Sequence, residues 1–148
     1  MKKFVFNLET LLHHRTNLEE KERNELSRIR FLLQSETKHR EDLRRRLKET
    51  ALELSRLQTE NADSREAAWF CLYLDRIRYE IELSDRQIIQ LEQRLQAQKL
   101  AVIEATKKTK VLNSLKARKE KEHDLAAERE TQKTIDEVIV TRFVRKDQ

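Results

Sequence analysis

Not one of the 148 residues is glycine or proline. A globular chain of this length would hold about 18 of them, since the two together make up about an eighth of ordinary sequences. Their absence removes the residue that enters left-handed turns at no steric cost and the one that breaks helix interiors. What remains is rich in Ala, Glu, Lys, Leu, Arg and Gln, the best helix formers, and 40% of it is charged. Such a chain either builds long helices or stays disordered, and only the spacing of its apolar residues can decide which.

From Leu26 a 3–4 spacing runs through positions 26, 29, 33, 36, 40, 43, 47, 50, 54 and 57, and seven of these ten are apolar. It resumes at Leu74 and passes through 77, 81, 84, 88, 91, 95, 98, 102, 105, 109 and 112. Here only Ser84, Gln98 and Thr109 are polar. A sustained 3.5-residue repeat is the seam of a left-handed coiled coil, which decides against disorder. Between the runs lies TENADSREAAW, a cluster of Asn, Asp and Ser. Asn61 can end one helix in a left-handed conformation, and Asp63 with Glu66 has capping-box spacing for the next.

The expected fold is all-α: two long helices forming an antiparallel coiled-coil hairpin, one elongated unit over residues 1–148. Helix one spans about 8–60 behind an Asn7 cap, the turn about 61–66, and helix two about 64–140. At 1.5 Å per residue the helices are roughly 80 Å and 115 Å long, giving a rod with both termini at one end. Glu36, Arg40 and Gln98 in the seam point to modest stability and a marginal isolated monomer. Beyond Leu115 the seam weakens, because Lys116, Lys119 and His123 fall on its projected positions. Leu125, Ile135, Val138, Ile139 and Phe143 then form a fresh apolar stripe, packed in another register or docked on a partner.

Net charge is +5, unevenly spread. Residues 1–60 carry 14 basic and 11 acidic groups, 61–98 carry 5 and 7, and 99–148 carry 13 and 9. Within 99–119 seven basic residues face Glu104 alone. Such a stretch can meet nucleic acid, acidic lipid or an acidic protein face, although a solvated helix face is the ordinary outcome. The single cysteine, Cys71, allows no internal disulfide and fits a reducing compartment. No run of about 18 apolar residues exists to span a membrane. The opening MKKFVFNLETLLHH is interrupted by Asn7, Glu9 and the His pair, and lacks a cleavage site. A soluble cytoplasmic protein is expected.

Little in the chain suggests catalysis. There is no glycine-rich phosphate loop. Glu9 and His13 share a helix face but lack further metal ligands among His14, His39 and His123. Cys71 has no histidine close in sequence, and two helices do not readily enclose a water-excluding site. The expectation is no enzyme, no cofactor and no metal. In HREDLRRRLK, residues 39–48, Glu41 and Asp42 interrupt the basic run while Leu43 and Leu47 continue the seam, so nucleic-acid binding is not expected.

Half of the eight aromatic residues fall in AAWFCLYLDRIRY, residues 67–79. Leu74 and Ile77 belong to the seam, and Trp69, Phe70 and Tyr73 span too wide an arc to join them all. Exposed aromatics near a helix end anchor partners, or else fold over the turn beside them.

The amino-terminal FVFNLETLLHHRTNLEE carries Phe4, Phe6, Leu8, Leu11, Leu12, Arg15 and Glu19 in a spacing that resembles the opening of the FliJ family. This family is the small coiled-coil component of the bacterial flagellar type III export apparatus. The ending LKARKEKEHDLAAERETQKTIDEVIVTRF is similar to the family's ending, with Asp136 and Glu137 before a basic tail. The resemblance implies a stalk like that of rotary ATPases, placed in the cytoplasm at the inner face of the cell membrane. Its terminal end would enter the export ATPase ring and promote ring assembly and ATP hydrolysis. It would also contact the export gate, a membrane protein, and bind export chaperones. On this reading Phe4, Phe6, Leu8, Val140, Arg142, Phe143 and Arg145 meet the ring together with Lys146. Trp69, Phe70 and Tyr73 lie in the region implied for the gate. A stalk from a virulence-type injectisome and a generic structural coiled coil are the alternatives.

Overall fold

The computed structural model describes residues 2–60 and 63–147 and is an all-α helical hairpin. Helix α1 is Glu9–Thr59 and helix α2 is Ser64–Lys146. They contribute to two compact units, one joining Met1–Glu20 to Ile103–Gln148 and the other formed by Lys21–Val102.

In the Lys21–Val102 unit the 3–4 spacing is the packed seam. Leu26, Ile29, Leu43 and Leu57 of α1 are buried, as are Leu74, Ile77, Ser84 and Ile88 of α2. The other expected seam positions of this unit are half-buried. Pairing runs in opposite directions: Glu22 meets Gln98, Glu25 meets Arg94, and Glu36 meets Ser84. The helices are therefore antiparallel here.

Glu36, Arg40, Ser84 and Gln98 of the seam bond across the helix pair. Ser84 Oγ donates to Glu36 Oε1 at 2.7 Å, and the Gln87 amide, oriented to donate, reaches the same oxygen at 3.0 Å. Arg40 Nη1 donates to Asp85 Oδ1 at 3.0 Å, and Gln98 Nε2 to the Glu22 carbonyl at 2.9 Å. One atom of this layer is left over, since Arg40 Nε is buried with no hydrogen-bond partner. Each bond offsets the desolvation that a polar side chain suffers in a seam.

In the other unit the seam does not stop at Leu115. Lys116 Nζ lies 2.9 Å from Glu9 Oε2, and Thr106 Oγ1 donates to Glu19 at 3.2 Å. Phe6 is 8% exposed and forms a small core with Leu12 and Leu112, against which Phe4 and Leu115 pack. The residues before α1 thus lie along α2. His123 completes the arrangement, with its Nε2 3.0 Å from the Lys2 carbonyl and its ring 5.6 Å from that of Phe4. The projected seam positions 116 and 123 are polar because their partners are a carboxylate and a backbone segment.

The helix ends differ from expectation in two places. Leu8, not Asn7, supplies the carbonyl for the first helical bond, from the Leu12 amide at 2.8 Å. Asn7 sits in the turn before it, where the Glu9 amide donates to the Phe6 carbonyl. The far end of α2 reaches Lys146, about a turn and a half beyond the expected end. Nothing in the sequence terminates it, and Arg145 and Lys146 suit the negative end of the helix dipole. At the start of α2, Asp63 Oδ1 accepts from the Arg65 amide at 3.2 Å, an N-cap. Asn61 lies outside the described residues.

Candidate partner-binding surfaces

Within the unit that holds both chain ends, the residues expected to act together separate into two sets. Phe6 is enclosed in the core and Phe4 is half-buried against His123. Both are spent on holding residues 2–8 to α2, while Leu8 beside them is exposed. Val140, Arg142, Phe143 and Arg145 lie further along α2, all exposed. From His123 to Val140 the helix rises about 25 Å, so the two sets do not form one patch. The distal set has apolar neighbours in Leu125, Ile135, Val138, Ile139 and Val144, all exposed, and Phe143 is 69% exposed. Ile139, Arg142, Phe143 and Lys146 line a shallow cleft. Along residues 128–147 the side-chain hydrogen bonds, donated by Thr131, Gln132, Thr134 and Thr141, stay within α2.

The early part of α2, in the Lys21–Val102 unit, shows a second surface. Trp69 is 74% exposed, Tyr73 is exposed, and Phe70 is half-buried toward the seam. The aromatics thus divide as their arc requires. Sequence reasoning missed three companions, Leu72, Tyr79 and Leu83, which are exposed as well. With Trp69 and Arg76 they recur at positions 69, 72, 76, 79 and 83, a second 3–4 spacing turned away from Leu74 and Ile77. That spacing was legible one face round from the seam, had the seam been set aside. Arg76 within the stripe is paired to Glu80 at 3.2 Å, and its apolar neighbours are exposed.

The sequence model of the family described as Flagellar FliJ protein matches residues 4–148. The chain belongs to the FliJ family. It is therefore a component of the flagellar export apparatus. No curated protein and no solved structure matches the chain.

His13 lies 3.8 Å from Glu9, but the Glu9 carboxylate is held closer by Lys116. Among the described residues no group of three His, Cys, Asp or Glu side chains is placed to hold a metal ion. Among them, too, no helix is long and apolar enough to cross a membrane. Cys71 is exposed beside the Trp69 stripe. The Arg56 guanidinium bonded to Glu53 holds that carboxyl below its usual range and is itself pushed up in return.

Proposed function

We propose that this chain is a non-enzymatic stalk of the export apparatus, whose terminal end enters the export ATPase ring. The observation that carries the reading is the end of α2, where Ile135, Val138, Ile139, Val140 and Phe143 are exposed and flanked by Arg142, Arg145 and Lys146. Apolar anchors with basic neighbours suit insertion into a protein collar, where burial supplies affinity and charge supplies orientation. Phe4 and Phe6 serve this end indirectly, by fastening the amino-terminal segment to α2, and Leu8 sits at its edge. By stabilising one arrangement of the ring, the stalk promotes ring assembly and ATP hydrolysis.

The Trp69, Leu72, Tyr73, Tyr79 and Leu83 surface is the contact for the export gate, with Phe70 supporting it from the seam. This places the protein in the cytoplasm, peripheral to the inner face of the cell membrane and held there through the gate. Export chaperones are further partners. A generic structural coiled coil would instead self-associate along its seam, yet here the seam residues are already covered by the chain's own second helix.

Binding to the two partners separates these assignments. Phe143→Asp with Ile139→Asp should weaken capture by the cognate ATPase ring at least tenfold while leaving gate binding intact. Trp69→Ala with Leu72→Ala should do the reverse. Equal loss of both, or of neither, contradicts the assignment.

A further inference from the structure

Several exposed arginines of this chain meet carboxylates of their own helix. Arg28 pairs with Glu25, Arg44 with Glu41, Arg45 with Asp42, Arg56 with Glu53, and Arg78 with Asp75. One face of α2, in the unit holding both chain ends, departs from this pattern. Lys107, Lys110, Arg118 and Lys121 follow a 3–4 spacing through Ser114, on the side turned away from the buried Thr109 and Leu112. Lys107 reaches Glu104 at 3.6 Å. Lys110, Arg118 and Lys121 make no ion pair among the described residues. Of the other nearby carboxylates, Glu122 stands on one flank and is taken by Lys119 at 3.4 Å, Asp124 stands on the other flank 3.7 Å from His123, and Glu120 is turned further round the helix. Ile103, Val111 and Leu125 share the cationic face and are exposed, Val111 by 67%. The face runs about 33 Å along the helix.

We infer that this face rests directly on an anionic phospholipid surface. The charge asks for an anion, and the pattern selects its form. A third helix would need an apolar 3–4 seam to pack against. Positions 107, 110, 114, 118 and 121 offer Lys, Lys, Ser, Arg and Lys instead. A nucleic-acid strand would supply phosphates, but no aromatic residue lies between Tyr79 and Phe143 for its bases to stack on. It would also leave Ile103, Val111 and Leu125 without a role. A bilayer surface uses both chemistries, because lysine and arginine meet headgroup phosphates while intervening apolar side chains enter the acyl boundary. The contact requires neither the ATPase ring nor the gate, and it goes beyond an attachment made through the gate protein.

The test is flotation of the full chain with lipid vesicles, free of any other protein, at physiological salt. Vesicles rich in phosphatidylglycerol should carry the protein and vesicles of phosphatidylcholine alone should not. Each cation near an anionic surface contributes roughly fivefold to partition, so Lys110→Glu with Arg118→Glu and Lys121→Glu should lower it at least a hundredfold. These side chains are exposed, and unchanged helicity by circular dichroism verifies that the variant is folded. Val111→Ser with Ile103→Ser should lower partition severalfold with the charges intact. The inference is overturned if the intact chain does not float with the anionic vesicles, if the triple variant floats equally well, or if the apolar pair makes no difference. It is also overturned if the same cations bind nucleic acid more tightly than vesicles at that salt.

Discussion

Leu43, 1% exposed, is the most enclosed side chain among the described residues, one turn along α1 from Arg40, which pairs with Asp85. Removing it leaves a void that two helices can only partly close. Leu43→Ala should therefore destabilise the protein by about 2–3 kcal/mol, read as a lower urea midpoint at unchanged slope. Surface charges act on a smaller scale. Glu53 bonds Arg56 with its carboxyl pKa depressed, so the folded state favours the ionised form. The contribution is fully present above the usual carboxylate range and is lost as pH falls through the depressed value. Both groups stand at the surface within reach of solvent, so the effect is slight. Glu53→Gln should flatten the acid side of the stability profile a little and leave neutral-pH stability almost unchanged. A shift at neutral pH as large as that of Leu43→Ala would contradict this ranking.

At the scale of elements, the polar layers of the seam set which residues of α1 and α2 face each other. A slip by one heptad would bury Glu36 away from Ser84 and Gln87, and Arg40 away from Asp85. Buried polar residues in coiled coils specify register at a cost in stability. Glu36→Leu with Ser84→Leu should thus raise the melting temperature while broadening the distribution of masses in solution. Higher stability with an unaltered single mass would remove the registry role. The seam positions themselves were legible because period 3.5 recurs through both helices. Their polar members were legible only as exceptions, since their partners stand on the other helix. The segment before α1 was illegible for a different reason. Phe6 belongs to no periodic run, and nothing in the sequence links it to Leu112 or Phe4 to His123. Phe6→Ala should speed hydrogen exchange in the first turns of α1 while the Lys21–Val102 unit keeps its protection. Uniform loss across both units would mean that Phe6 supports far more than this segment.

For the molecule as a whole, length, helical composition and the FliJ-family ends agree, and the family match covers nearly the whole chain. The exposed apolar surfaces were only half legible. The aromatic cluster announced Trp69 and Tyr73, but Leu72, Tyr79 and Leu83 blend into a leucine-rich helix until the seam is known. At the chain ends, proximity in the hairpin suggested one surface. The structure spends Phe4 and Phe6 on packing, leaving Val140, Arg142, Phe143 and Arg145 exposed further along α2. If these residues engage the ATPase ring, removing them should abolish the chain's effect on it while the Trp69 surface is irrelevant to that effect. The most direct measurement is the ATP hydrolysis rate of the cognate export ATPase alone, with the intact chain, and with a chain lacking residues 138–148. Stimulation by the intact chain, none by the truncated one, and full stimulation by Trp69→Ala are expected. Failure of the intact chain to bind or stimulate the ATPase, or equal stimulation by the truncated chain, would contradict the ring contact.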